Sequence, residues 1–318
     1  MLLRLAERSV NASASVRLAR PAMATRFEIL LYGEREADLR AAGEQALNEV
    51  DRLESQLSLY RPASEIAAVN RLAARQPVRV SPELFALLAL AQQLHQETGG
   101  AFDITIGPLV RCWGFMGGTG SLPTAPAVAA ARERVGMHHV ILNRDDGSVR
   151  FDRQGVMIDL GAIGKGYAID CAVQILRDCG MTSGLMHGGT STTYALGTPP
   201  SGCGWKIELP GIPELGLHAK EVELRDEALS VSAVWGRSFA AEGKTYGHVL
   251  DPRTGQPVEA ALLTAVGLPN ATETDALSTA LLVASATGQA SLVTALRPGM
   301  RHFVARKCDG GVTAEGNL

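Results

Sequence analysis

The chain has 318 residues, of which 46% are hydrophobic and 20% charged, and a formal net charge of -3. That balance suits one large globular domain or two intimate ones, and a faintly acidic chain with scattered arginines offers no basic surface for nucleic acid. Five cysteines, Cys112, Cys171, Cys179, Cys203 and Cys308, show no metal-like pairing, and their odd number argues against a complete disulfide framework.

Free thiols fit a reducing compartment. The apolar start at Met1 is interrupted by Arg4, Glu7 and Arg8, too early for a signal-peptide core, and no uncharged apolar run reaches the roughly 20 residues of a membrane span. A cytoplasmic protein is expected, or a periplasmic one if the start codon is mis-set.

The alternation from Arg26 to Tyr32 predicts a half-buried strand closed by Gly33. From Glu36 to Leu57 a helix is expected, with Ala41, Ala42, Leu47, Val50 and Leu53 at helical spacing. Ser64 is placed to cap a short helix ending near Asn70, and another helix runs from Pro82 to Thr98 until Gly99 and Gly100 stop it. Met116 to Pro123 reads as a loop, followed by a helix near Ala125 to Val135 and strands at about His139 to Leu142 and Ser148 to Asp152. On such a strand His138 and His139 would point oppositely. Strands and helices do not alternate regularly, so the expected class is α+β, with mixed sheets packed with helices.

From Val156 to Asp170 a short apolar strand is expected to enter a glycine turn that opens an amphipathic helix ending near Cys179. Its N–H groups are placed to cradle a phosphate, or the segment is only a tight strand-to-helix turn; Gly166 after Lys165 excludes a Walker loop. Gly188 to Gly197 is read in two ways, as a close approach for a ligand or as a turn before a buried strand. Of seven histidines, only His187 and His248 flank glycine-rich segments, and none forms a two-histidine zinc motif.

The richest stretch runs from Gly243 to Pro257 and resumes at Thr274 to Ala280, bringing a histidine, a carboxylate and hydroxyls into one region. Such oxygen donors suit a hard metal ion and a phosphate-containing ligand. Asp275 and Thr279, four apart, share one helix face. The plainer alternative is that Asp275 stabilises the helix start and Thr279 is buried among leucines.

Taken in order, seven segments resemble the ApbE-type FAD:protein FMN transferases: Met23-Ala24-Thr25; Leu57 to Asn70; Gly100 to Asp103 with Gly107 to Phe115; Asp159 to Asp170; Gly188-Gly189; His248 to Pro257; and Thr274 to Ala280. The resemblance implies a T-fold-like architecture with a flavin site in a cleft between two intimate lobes. It also implies a single domain over 21–318 after a poorly ordered extension over 1–20. It further implies a Mg2+-dependent enzyme that cleaves FAD and attaches FMN to a threonine or serine of a target protein, releasing AMP.

By that resemblance Asp275, Thr279 and the Gly164 carbonyl hold Mg2+. Met23, Tyr60, Ala101, Phe102, Asp103, Gly161, Tyr167 and Val249 contact FAD, and Asn70 sets the balance between transfer and hydrolysis. His248 becomes the expected general base, with Asp103 or Asp251 to orient it and Lys165 or Arg253 to add positive charge. Two departures are visible: Gly164 stands where alanine is common, and Ser230-Val231-Ser232-Ala233 replaces a threonine-serine-glycine. With no lipobox near the start, a cytoplasmic target flavoprotein is expected rather than a membrane redox-pump subunit. The rival readings are an FAD pyrophosphatase and a non-catalytic flavin-binding protein.

Overall fold

A computed structural model describes residues 14–213, 216–308 and 311–318. In chain order the elements are β1 (Ala14–Ala22), β2 (Thr25–Gly33), α1 (Glu36–Leu57), α2 (Glu65–Leu72), β3 (Val78–Arg79), α3 (Pro82–Glu97), α4 (Gly107–Cys112), α5 (Ala125–Arg132), β4 (Val140–Asn143) and β5 (Ser148–Phe151). There follow α6 (Gly164–Asp178), β6 (Ser183–Gly188), β7 (Thr192–Gly197), β8 (Trp205–Leu209), β9 (Lys220–Leu224), β10 (Glu227–Ala233), β11 (Ser238–Ala241) and β12 (Lys244–Gly247). The chain closes with β13 (Ala261–Leu268), α7 (Ala271–Ala286), α8 (Ala290–Thr294), β14 (Arg301–Cys308) and β15 (Gly311–Gly316).

An eight-stranded sheet in the order β1-β2-β6-β7-β10-β13-β14-β15 organises the chain. The expected α+β class holds, but each ladder is antiparallel; among the described residues parallel pairing occurs only at the isolated bridge between Ile106 and Met157. One face of the sheet carries α1, α6 and α7, and the β8–β9 hairpin packs its Trp205, Ile207 and Val222 on the other. This double cover explains why β13 is buried along its whole length. Helix α1 buries one stripe, Leu39, Ala42, Ala46, Leu47, Val50, Leu53 and Leu57, and keeps Glu36 and Asp38 at its N-terminus. Helix α7 is buried on nearly every side between the sheet and α6, so its side chains have no solvent face to mark.

A satellite core forms where α4, α5 and the β11–β12 hairpin meet around Trp113 and Phe115, joined by Phe239 and Tyr246. Indole Nε1 of Trp113 donates to the Gly255 carbonyl at 2.9 Å and ties the His248 to Pro257 segment to this second lobe. No helix among the described residues is long and apolar enough to cross a membrane.

Three expectations are corrected. Residues 14–20 belong to the domain rather than to an extension: β1 pairs with β2 throughout, Val16 and Leu18 enter the core, and Arg20 bonds Asp51 of α1 at 2.7 Å. The remainder of that extension, 1–13, lies outside the described residues. His138 and His139 sit in a 3-10 turn with ring centroids 3.8 Å apart, because Gly136 at φ +138° turns the chain and its carbonyl accepts from His139 N–H. Finally, Val156 to Leu160 is not a ladder strand, since its backbone is held by a side chain and a loop, as described below.

The β1–β2 hairpin closes through Met23 and Ala24 alone, at φ +50° and +57°. A two-residue turn with both φ positive is ordinarily Asn-Gly, since a β-carbon there costs about 1–2 kcal/mol per residue. The double substitution Met23→Asn, Ala24→Gly is therefore expected to raise stability by about 1–2 kcal/mol. Denaturant unfolding of the pair against wild type checks this.

Candidate active site

Asp275 lies in the second turn of α7 and is 3% exposed. The helix start is served by other groups: Asn270 caps Glu273 N–H, and the Asp170 carboxylate accepts from Ala271 N–H and Thr272 N–H at 2.8 Å each. Asp275 is thus free of capping duty. Its Oδ1 accepts from Thr192 at 3.1 Å and Ser230 at 3.4 Å, and its Oδ2 from Gly166 N–H at 3.1 Å, with Lys165 Nζ at 3.5 Å.

Beneath it Ser230, Ser232, Ser278 and Thr279 form a chain of hydroxyls, with Ser232 2.9 Å from Ser278 and 3.3 Å from Thr279. Ser230 and Ser232, two apart on β10, necessarily face the same side. Together with Ser278 and Thr279 they form a hydroxyl floor. Alternation on a strand beside a helix carrying Asp275, Ser278 and Thr279 was the signal available in the sequence.

Glycine at 166 is explained by packing. A β-carbon there would lie 2.2 Å from the Ala271 carbonyl oxygen and 2.8 Å from Asp275 Cβ, so only glycine lets α6 approach α7 closely enough to donate its N–H. At Gly164, by contrast, a β-carbon would meet Leu160 Cβ at 3.7 Å, an ordinary contact, so alanine fits equally well. The backbone phosphate cradle expected over this turn is largely spent: Gly161 N–H goes to Asp159, Ile163 and Gly164 N–H to the Leu160 carbonyl, and Gly166 N–H to Asp275. The Lys165 ammonium, bonded to the Gly161 carbonyl at 2.9 Å, remains as the charge at this helix start.

Asn70 does not extend its amide into open space. Its Nδ2 donates to the Ile158 carbonyl at 2.9 Å and its Oδ1 accepts from Ile158 N–H at 2.7 Å, while Asp159 N–H bonds the Ile104 carbonyl at 2.7 Å. Asn70 thereby fixes the turn that presents Asp159, a residue not singled out from sequence. Burial pushes the Asp159 carboxyl up, against the opposing pull of Gly161 N–H, Lys165 and Arg237. Asn70→Ala leaves both backbone groups of Ile158 unpaired and is expected to cost about 1–3 kcal/mol, read as a lower denaturant midpoint at unchanged slope.

His248 follows β12, just before Val249 of the main core and Leu250 of the satellite core. Its Nδ1 lies 3.1 Å from the Arg237 carbonyl, which also accepts from His248 N–H at 3.0 Å, and its ring meets Phe115 edge-on with centroids 6.4 Å apart. A carbonyl only accepts, so Nδ1 carries the proton and Nε2 keeps its lone pair. Burial lowers the imidazole's proton affinity, the carbonyl partly restores it, and the charges of Arg237 and Lys165 lower it again. Lys165 thus joins the two halves of the site, lying beside Asp275 and acting on His248.

The structure does not bring every expected residue together. Asp251 holds Arg253 through Nε and Nη2 at 2.9 Å each, and Arg253 reaches on to Gln289 at 2.6 Å, so this pair staples the loop to the end of α7. Asp103 is taken by Thr105, whose N–H donates at 2.7 Å, and by His95 at 3.1 Å. Neither carboxylate contacts His248; the Arg237 carbonyl orients it. Arg237, missed in the sequence, brings a positive charge that acts on His248 and Asp159.

Ala101 and Phe102 are core residues, 1% and 2% exposed, backbone included. The Tyr167 hydroxyl lies against Cys171 near Glu83 and Arg52, and its burial pushes its pKa up. Val249 is half-buried and its carbonyl accepts from Val258 N–H at 2.9 Å. Met23 N–H is bound by Glu54 at 2.8 Å. Tyr60 is 59% exposed, close enough to Asp159 and Arg237 for both to act on its hydroxyl.

The antiparallel sheet with its covering helices is an architecture shared with known proteins. The solved structure of an ApbE protein from Thermotoga maritima matches with TM-score 0.85 and 27% identity over 95% of this chain and 97% of that one. A flavinyl transferase ApbE from Pseudomonas stutzeri matches with TM-score 0.83 and 26% identity over 97% and 96%. In sequence, an FAD:protein FMN transferase of Klebsiella pneumoniae is 30% identical over 86% of this chain and 79% of its own. One from Treponema pallidum is 30% identical over 81% and 76%. Residues 23–304 match the ApbE family as a whole, and the chain belongs to that family.

Proposed function

We propose that this enzyme transfers FMN from FAD to a serine or threonine hydroxyl of a target protein with Mg2+, releasing AMP. The observation that carries the reading is a buried histidine whose Nδ1 lies against the Arg237 carbonyl, which turns Nε2 into the free ring nitrogen, with Lys165 acting on it from beside the oxygen-lined Asp275.

His248 Nε2 takes the acceptor proton as the acceptor oxygen bonds to the FMN-side phosphorus and the pyrophosphate P–O bond to AMP breaks. Lys165 and Arg237 bring positive charge to the pyrophosphate, and the Asn70 clasp keeps the Asp159 turn in place. Tyr60 offers an exposed ring for stacking on the flavin or the adenine.

The donor set fits magnesium. Asp275, Thr279 and the Gly164 carbonyl are oxygen ligands, and a small hard cation takes one or two carboxylates and completes its shell with substrate phosphate and water. A carboxylate this deeply buried, with one ammonium at 3.5 Å as its near cation, is also short of positive charge. When bound, the ion supplies charge neutralisation on the pyrophosphate oxygens. Five cysteines without disulfide partners suit a reducing compartment and hence a cytoplasmic target.

The test mixes the protein, FAD, magnesium and an acceptor protein carrying a Ser-Gly-Ala-Thr segment in an exposed loop. A mass increase equal to FMN on that segment is expected. Release of FMN and AMP with no adduct on any such acceptor would make the enzyme an FAD pyrophosphatase instead.

A further inference from the structure

We propose that Trp235 is the specificity-determining residue for the protein acceptor: its exposed indole seats the segment that brings the acceptor hydroxyl to His248. The proposal rests on the flavin-transfer reading above.

Trp235 is 41% exposed. The aromatic residues of the satellite core behave differently: Trp113, Phe115, Phe239 and Tyr246 pack on one another, with ring centroids 5.3 to 6.5 Å apart. Among the described residues the indole of Trp235 stacks on no other ring. An apolar ring left outside a formed core contributes nothing to that core and is available to a partner, and tryptophan is the side chain most enriched at the energetic centres of protein interfaces.

The backbone that presents it is held on both sides. Val234 N–H donates to the Leu262 carbonyl at 3.1 Å, and the Arg237 carbonyl accepts twice from His248. The Arg237 guanidinium also bonds the Phe115 and Gly118 carbonyls, the latter at 3.0 Å. The backbone beneath the indole is therefore held on both sides. A partner gains from it without the entropy cost of ordering a loop.

Its position is also specified. Gly236, next in the chain and at φ +133°, lies so close to the imidazole that a β-carbon would sit 3.8 Å from His248 Cε1, the ring atom next to Nε2. Along β10, Ser230 and Ser232 face the Asp275 floor, while Val231 and Ala233 face the opposite side of the sheet. Trp235 lies two residues past the end of the strand, next in the chain to the glycine that meets His248. It therefore stands beside the histidine, where a chain that rests on the indole can bring its hydroxyl to His248.

The test compares wild type, Trp235→Ala and Trp235→Phe with FAD, magnesium and the Ser-Gly-Ala-Thr acceptor protein. FMN-adduct formation is followed against acceptor concentration, and FAD affinity by flavin fluorescence. Trp235→Ala is expected to raise the acceptor KM on the order of 30-fold. Its kcat at saturating acceptor and its FAD affinity stay within about twofold of wild type, and Trp235→Phe recovers most of the loss. An unchanged acceptor KM overturns the proposal, as does a loss of FAD affinity matching the loss of transfer, which would make the indole a flavin wall. A wild-type enzyme that forms no adduct overturns the flavin-transfer reading together with it, so the two failures are told apart.

Discussion

Asp275→Asn is expected to lower FMN transfer and FAD cleavage on the order of 10³-fold while the chain stays folded. The carboxylate is the one full negative charge among the donors proposed for the cation, and an amide of the same size removes it while leaving the volume unchanged. The structural cost is smaller. An amide keeps one acceptor for Thr192 and Ser230 but turns an NH2 toward Gly166 N–H and Lys165, which leaves about one buried donor unpaired at about 1–3 kcal/mol. Rates with FAD and magnesium, measured beside a thermal unfolding curve, separate the two effects. A variant that keeps more than about a tenth of wild-type turnover would remove Asp275 from the proposed cation site.

His248→Gln is expected to reduce transfer by about 10²- to 10⁴-fold, the range for a lost general base. The pH profile of the wild-type enzyme carries the more specific expectation. Burial and the charges of Arg237 and Lys165 hold the imidazole below its ordinary value near 6.5. Its neutral, base-competent form therefore predominates at neutral pH. Transfer is expected to hold from about pH 8 to neutrality and to fall along an acid limb centred below about 6.5, as the imidazole takes up a proton. Single-turnover rates across that range are the measurement. A limb centred above about pH 7, or an unchanged limb in the glutamine variant, would assign the proton transfer to another group.

Several features of the fold were legible because they depend on neighbours in the chain. The β2 strand, the α1 helix from Glu36 to Leu57 and the Ser64 cap of α2 follow from alternation, helical spacing and a side-chain acceptor at the right place. The expectation that Asp275 and Thr279 share a face follows from helical geometry alone. Where the backbone finds its partner far away, the same reasoning failed. Val156 to Leu160 has the apolar character of a strand, yet Asn70 holds it from 88 residues away. Residues 14–20 precede the segments that carry the family resemblance, and as a sheet-edge strand they bury only alternate side chains, here Val16 and Leu18, a weak signal in sequence.

The site divides the same way. Residue types, and hence the presence of a histidine, a carboxylate and a hydroxyl cluster with oxygen-donor chemistry, were determined by the sequence itself, as was the order of segments that marks the ApbE family. Which groups meet was decided only by tertiary structure, because hydrogen bonds and charge act over a few ångströms of space regardless of separation along the chain. That is why the Arg237 carbonyl, and not Asp103 or Asp251, orients His248, and why Arg253 is spent on Asp251 and Gln289. It is also why Gly166 must be glycine: the constraint comes from α7, 105 residues and more away in sequence, pressing its Ala271 carbonyl to within 2.2 Å of where a β-carbon would stand.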